Sequence, residues 1–459
     1  MKKISLLVIF TFLIFSGCST IEPELDADLE IPQNYKASSK AKTEILEKWW
    51  QDFNALYLNK LIDQALTDSP DLLAAYEKII QAEITLNSAG ASYLPSVDLK
   101  AGSSSTKQFA SQGSSSSTSK ATSAEIAMSY ELDIWDKIGA NIRSANANVK
   151  MNIYDYEAFK LILISNITEN YFSYVTTEER IKIAKKNLDI SQKVLAVMQA
   201  RLEFGAINEL DVRREQTALY VQEAALLSLQ NQALAYKNAL AILVGTPPSL
   251  FEIQSQSLQA IATPSVGVGL PSELLLRRPD IAAQKEAIES SKALIQVADA
   301  LRYPSFSLSA STGSSSSELL SFTNPTNAIS AGVGMTYNIF DDGRLKNQRL
   351  IEESKAEATL LTYKKTVLNA FKEVEDALND VAYRVESYKL MQKILNESQS
   401  NFTIASLQYK NGTIDFTTYL EIQRTFFISE EQLLVSKQEN LNATLRLYKS
   451  LGGGFKLEQ

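Results

Sequence analysis

The chain has 459 residues, with 45 Lys and Arg against 53 Asp and Glu, one Cys and no His. Without His there is no Ser/His or Cys/His nucleophile pair, no zinc site of the usual kind and no imidazole acid–base group, and one Cys cannot close an internal disulfide. The net charge of −8 argues against nucleic acid as a partner.

At the N-terminus Lys2 and Lys3 precede an apolar run from Ile4 to Phe15. The run has the length of a signal-peptide core and is too short to cross a bilayer as a helix. Ser16 and Gly17 then lead to Cys18. The segment resembles a bacterial lipoprotein signal, which implies that residues 1–17 are removed and that Cys18 becomes a lipid-bearing N-terminus. Ser19 after the Cys implies delivery to the outer membrane. An ordinary secretory peptide with an incidental Cys is the alternative. No cofactor is expected beyond the covalent lipid on Cys18.

Residues 18–48 read as an anchor and linker, within which no element is assigned. A helix follows from Asp71 to Ser92, with Ser69 and Pro70 at its start. The period then changes to two: Val97, Leu99 and Ala101 alternate with polar residues, as do Ile126, Met128, Tyr130, Leu132 and Ile134. These predict strands over about 96–104 and 125–135. The Ser-rich stretch around Ser103 to Ser123 reads as a solvent loop. A helical hairpin is predicted over about 137–244. Between residues 140 and 244 the only Gly is Gly205, which marks the turn.

The same order then repeats at an offset of about 207 residues. SPDL at Ser69 recurs as RPDI at Arg278, IWD at Ile134 as IFD at Ile339, Gly205 as Gly412 and Gly245 as Gly452. A period this long is a duplicated unit, not a short solenoid repeat. The first repeat spans 49–245, a Pro-rich connector 246–278, the second repeat 279–452 and a tail 453–459. In the second repeat Pro279 opens a helix reaching about Leu301, strands fall at about 305–313 and 329–340 around a Ser-rich loop near Ser311 to Asn327, and a hairpin runs over about 343–451. Val212, Leu219, Leu226, Ala233 and Leu240 lie seven apart, matched by Tyr419, Phe426, Leu433, Asn440 and Leu447, so the hairpins pack as coiled coil. At 1.5 Å per residue the outgoing helix is about 100 Å long.

Four strands cannot close a membrane barrel, whose smallest form has eight, and open edges are not tolerated in lipid. If the strands span a membrane, the chain oligomerises. Strands that are apolar on one face and Ser-, Gly- and Thr-rich on the other suit a barrel with lipid outside and water inside. A half-buried soluble sandwich has the same periodicity and stays open at this point.

WWQDFNALYLNKLIDQAL from Trp49, GLPSELLLRRPDI from Gly269, RYPSFSLSAS from Arg302 and ISAGVGMTYNIFDDGR from Ile329 resemble the TolC superfamily, most closely its lipoprotein branch of OprM- and NodT-type efflux outer-membrane subunits. The resemblance covers about Glu47 to Gly453. It implies a mainly α fold with a small membrane β-barrel contribution, built as a homotrimer of twelve strands. It also implies a lipid-anchored, outer-membrane location, a periplasmic membrane-fusion adaptor and an inner-membrane pump, often of the resistance-nodulation-division type. The activity implied is passive conduction of exported solutes, as in multidrug resistance, and not catalysis. Two alternatives stand beside it: a type I secretion channel, and a non-conducting periplasmic coiled-coil scaffold lipoprotein.

The resemblance also assigns roles. Gly205, Ala206, Ile207 and Asn208, with Gly412, Thr413, Ile414 and Asp415, match the periplasmic tips where the adaptor docks. Asn208 and Asp415 read independently as N-caps of the return helices. Asp211 matches an aspartate lining the closed aperture, against the plainer reading of a first-turn acid favoured by the helix dipole. Tyr409 matches the family's tyrosine three residues before the Gly. Thr418 stands where TolC has a second aspartate, Glu421 occupies the next acidic place, and Ile414 replaces an arginine of TolC's restraining network. A ring of Asp211 and Glu421 repeated by the trimer is expected to form a negative constriction with cation preference. Aromatic and Met stripes read as packing, and Trp49 and Trp50 as anchors of the N-terminal segment.

Overall fold

A computed structural model describes residues 30–36, 47–109, 116–254, 256–267, 269 and 271–456. The signal segment and Cys18 lie outside these residues. A short 3-10 helix, Trp49–Phe53, is followed by α1 (Leu56–Asp68), α2 (Pro70–Ala91), β1 (Ser96–Gln108), β2 (Ser117–Leu132), α3 (Lys137–Glu203) and α4 (Glu209–Leu243). The connector supplies α5 (Pro271–Arg277), and the second repeat α6 (Pro279–Ala300), β3 (Ser305–Ser316), β4 (Thr326–Thr336), α7 (Arg344–Lys410) and α8 (Phe416–Ser450). Three helix pairs have equal lengths: α2 and α6 have 22 residues each, α3 and α7 67, and α4 and α8 35. Among the described residues no helix is long and apolar enough to cross a membrane.

The chain divides into two compact units, and each draws on both repeats. One holds Ile79–Asn152 and Gln284–Lys364, the other Leu29–Lys78, Ile153–Ala283 and Lys365–Gln459. The first unit carries a four-stranded antiparallel sheet in the order β1-β2-β3-β4. Its register aligns the apolar positions: Val97 faces Met128, Leu99 faces Ile126, Tyr130 faces Leu308, Leu308 faces Val333, and Phe306 faces Met335. Successive side chains on a strand point to opposite faces, so these residues form one apolar belt across all four strands. Among the described residues nothing covers it, since Leu99 is 74% exposed, Ile329 87% and Val333 77%.

The Ser-rich stretches depart from the loop reading. Ser103 to Gln108 and Ser117 to Ser123 pair as strand, as do Ser311 to Ser315 with Thr326 to Ser330. Apolar alternation stops there, but the ladder does not. Hydroxyls meet across it instead: Ser103 with Thr122 at 2.8 Å and Ser311 with Ser330 at 2.8 Å. At their other ends the strands stop earlier than the alternation suggests, at Leu132 and Thr336. Asp133 accepts from the backbone N–H groups of Ile138 and Gly139 at 3.0 and 2.8 Å, and Asp341 from Gly343 and Leu345 at 3.0 Å each. These carboxylates satisfy the free donors of α3 and α7.

The second unit has an aromatic centre. Trp49 and Phe53 are buried; Trp49 stacks on Tyr448 at 5.0 Å and Phe53 meets Phe172 edge-on at 5.1 Å. Tyr448 donates to Asp52 at 2.7 Å. Along the hairpins the seven-residue series becomes core: Leu219, Ala233, Leu240, Tyr419, Phe426 and Leu447 are all buried. At the end of the connector Arg278 is a buried node. It donates to both oxygens of Asp280 at 3.0 and 2.7 Å, to Glu373 at 2.6 Å and to the Ser450 carbonyl at 3.1 Å.

Candidate aperture at the hairpin tips

Both long helices end in the same turn for the same reason. Gly205 and Gly412 take φ of +68° and +74°, a region that costs a side-chain-bearing residue energy. The backbone then closes on itself: Ala206 donates to the Arg201 carbonyl and Thr413 to the Gln408 carbonyl, each at 2.9 Å. Two residues on, Asn208 accepts from the Asp211 N–H at 2.9 Å and Asp415 from the Thr418 N–H at 2.7 Å, capping α4 and α8. These backbone hydrogen bonds, that from Thr418 first, hold the Asp415 carboxyl below the usual carboxylate range.

The turns also pack. Ile207 and Ile414 lie against a buried cluster of Met198, Ala405, Phe416 and Tyr419, so the residue standing at the TolC arginine position is a packing contact here. Tyr409 stacks on Tyr419 at 5.0 Å. A cation reaches it from the other hairpin: Arg201 donates to the Tyr409 hydroxyl at 3.1 Å, with its guanidinium carbon 5.1 Å from the ring centroid. Tyr409 is thereby tied to α3 by an arginine from the first repeat.

A cavity of ≈ 610 Å³ lies between the turns, lined by Arg201, Gly205, Ala206, Ile207, Asn208, Asp211, Tyr409, Gly412, Ile414, Asp415 and Phe416. It brings together most of the residues the sequence singled out. Thr413 lies outside it, as does Thr418, whose hydroxyl also donates to Asp415 at 3.2 Å. Glu421 is exposed and lines a different cleft higher in the helices, so within one chain Asp211 and Glu421 do not share a cavity. Among the described residues no cluster of carboxylates or Cys is placed to hold a metal.

Sequence reasoning missed two residues. Arg201 carries a modest signal, a basic residue in the last turn of α3 where the dipole favours it. Glu215 carries a stronger one: a carboxylate between Val212 and Leu219 on the apolar stripe. It is 1% exposed, and neither of its oxygens has a hydrogen-bond partner. Burial pushes its carboxyl up to about 7.

The comparisons with known proteins agree with this geometry. The family described as outer membrane efflux protein matches residues 61–246 and 270–453, one stretch in each repeat. The pyoverdine export outer membrane protein OpmQ of Pseudomonas aeruginosa is 31% identical over 100% of this chain and 98% of its own length. The solved Campylobacter jejuni CmeC outer membrane channel is 25% identical with a TM-score of 0.86, covering 95% of each chain. The solved outer-membrane channel OprN is 25% identical with a TM-score of 0.85, covering 95% of this chain and 99% of its own.

Proposed function

The chain belongs to the outer membrane efflux protein family, and we propose from that premise that its hairpin tips are the periplasmic end of a gated conduit. It is an outer-membrane efflux channel subunit, mainly helical with a small antiparallel sheet, and not an enzyme. Such a subunit passes solutes without energising them. The supporting observation is the sheet: one continuous apolar face, a Ser- and Gly-rich opposite face, and two outer strands, β1 and β4, each paired on one side only. Lipid accepts the first, water the second, and only closure with further strands satisfies the edges.

Three copies supply twelve strands, so the proposed assembly is a homotrimer in outer-membrane lipid, anchored by a lipid on Cys18. The tips at Gly205 to Asn208 and Gly412 to Asp415 meet a periplasmic membrane-fusion adaptor, which connects to an inner-membrane pump of the resistance-nodulation-division type. The Arg201 to Tyr409 tie holds the aperture closed, with Asp211 lining it and Glu421 adding negative charge above. OpmQ's export role supports a small solute over a secreted protein as cargo.

Reconstitution in planar bilayers tests this reading. A trimer that dissociates only on heating and conducts with small, cation-preferring currents is expected, and Arg201→Gln with Tyr409→Phe should raise the conductance. A protein that conducts nothing in any variant is a scaffold and ends the channel reading. Loss of radiolabelled palmitate on Cys18→Ala checks the anchor.

A further inference from the structure

Above the tip cavity a second cleft of ≈ 720 Å³ runs between α3, α4 and α8. Its chemistry is not that of an ordinary coiled-coil seam. Four of its lining side chains hold buried polar atoms without a hydrogen-bond partner: both oxygens of Glu215, Asn187 Oδ1, Gln222 Oε1 and Gln423 Nε2. Glu215 and Gln423 are 1% and 3% exposed. Each such atom costs about 1–3 kcal/mol if nothing answers it, and five in one cleft suit a ligand that supplies the partners. Acceptors outnumber the single donor, so the occupant brings N–H groups.

It also brings positive charge. The charged groups lining the cleft are Arg180 and Glu431, Arg214, Glu421 and Arg424. Arg180 is held by Glu431, its Nε donating at 2.8 Å. Arg214 and Arg424 lie exposed, and burial alone accounts for the raised Glu215 carboxyl, with no lowering by either arginine. Tyr419 feels the Glu215 charge and is raised further by it. Among the described residues the Glu215 carboxylate therefore has no counter-ion. The remaining lining mixes hydroxyl and amide side chains such as Ser191 and Gln232 with an apolar part that includes Ala218, Leu420 and Phe427.

We propose that this cleft binds an amphiphilic organic ammonium, whose N–H groups meet Glu215, Asn187 and Gln222 and whose apolar part lies against Ala218, Leu420 and Phe427. The Glu215 oxygens are closed to solvent, so the side chain rotates toward the amine on binding. No covalent step is involved; binding exchanges the Glu215 proton for the ligand's charge. Because that carboxyl ionises at about 7, affinity rises about tenfold from pH 6 to pH 8 and levels off above. The site goes beyond the channel reading, which uses only Glu421 of this cleft and places no ligand there.

Fluorescence titration of the full trimer in lipid nanodiscs with dansylcadaverine, a primary amine on an aromatic body, tests it. Saturable binding at one site per chain is expected, tighter at pH 8 than at pH 6. Glu215→Gln should weaken it at least tenfold and flatten the pH profile, while the N-acetylated probe should bind parent and variant alike. Ala218→Trp, which fills the cleft and leaves the carboxylate, should abolish binding. Equal binding by Glu215→Gln, a flat pH profile in the parent, or tighter binding of the carboxylate probe dansylglycine overturns the proposal; the last would assign the cleft to its arginines. Failure of the channel reading shows separately, as absent conductance in the parent protein.

Discussion

The two ends of each return helix use glycine for opposite reasons. At the tips Gly205 and Gly412 have positive φ and nothing within 4 Å of where a side chain would begin. At the far ends Gly245 and Gly452 have positive φ too, but a Cβ there would lie 2.3 Å from the Asp68 carbonyl and 1.8 Å from the Arg277 carbonyl. Those carbonyls close α1 and α5, so each return helix ends with its backbone pressed against the end of an earlier short helix. The tip is a turn kept clear; the far end is a joint. A surface for a partner belongs at the first and stability at the second.

That contrast breaks most easily at Gly452. Gly452→Ala adds an atom inside a backbone carbonyl and strains a φ of +88°. A loss beyond about 4 kcal/mol is expected, read as failure to recover heat-resistant trimer at growth temperature. The joint also distinguishes the repeats. Arg278 of the second joint corresponds to Ser69 of the first, a buried serine with no ion pair. Arg278→Ala leaves the partly exposed Asp280 and Glu373 without their cation and should cost about 2–3 kcal/mol, measured by chemical denaturation. Arg278→Lys keeps the charge but not the fork onto Asp280, and should recover only part of the loss.

Between joint and tip, Glu215 gives a pH signature. Its folded carboxyl sits at about 7 against an ordinary 4.5, so the folded state holds a proton that the unfolded chain has released across that window. Stability therefore falls as pH rises from about 4.5 to 7 and is level above. Glu215→Gln removes this dependence, so its advantage over the parent should grow by roughly 3 kcal/mol between pH 4.5 and pH 8. Melting curves at the two pH values check it. The aligned residue of the second repeat is Ile422, half-buried against the tip cluster, which carries no proton and predicts no pH effect there.

Much of this was legible in the sequence because period and punctuation are local. The heptad series from Val212 and from Tyr419 marks the buried seam, and the isolated glycines of the long runs mark the turns. The Ser-rich halves of the strands were not legible, since Ser103 to Gln108 has no apolar alternation to reveal a ladder held by backbone pairing. The tips were legible as turns and caps. Their tie was not: Arg201 reaches Tyr409 across 208 residues, and no spacing rule links them. Glu215 broke the stripe in plain view, but whether such a residue turns outward or is trapped inside is decided by packing from α8.

The smallest effect tests the contrast most cleanly. Gly412→Ala meets no atom, so only the left-handed backbone of Ala is charged against it, about 1 kcal/mol. The capping bond from Thr418 to Asp415 and the packing of Ile414 are untouched. The trimer should therefore form normally, with a melting temperature lowered by a few degrees at most. If the tips serve adaptor docking, a bulkier exposed change such as Gly412→Trp should reduce adaptor cross-linking and export far more than it reduces stability. The same residue at Gly452 should never reach the membrane. Equal loss of stability at both glycines would mean that the tip is also a packed joint, closed by neighbouring subunits, and that the clear space around it is filled in the assembly.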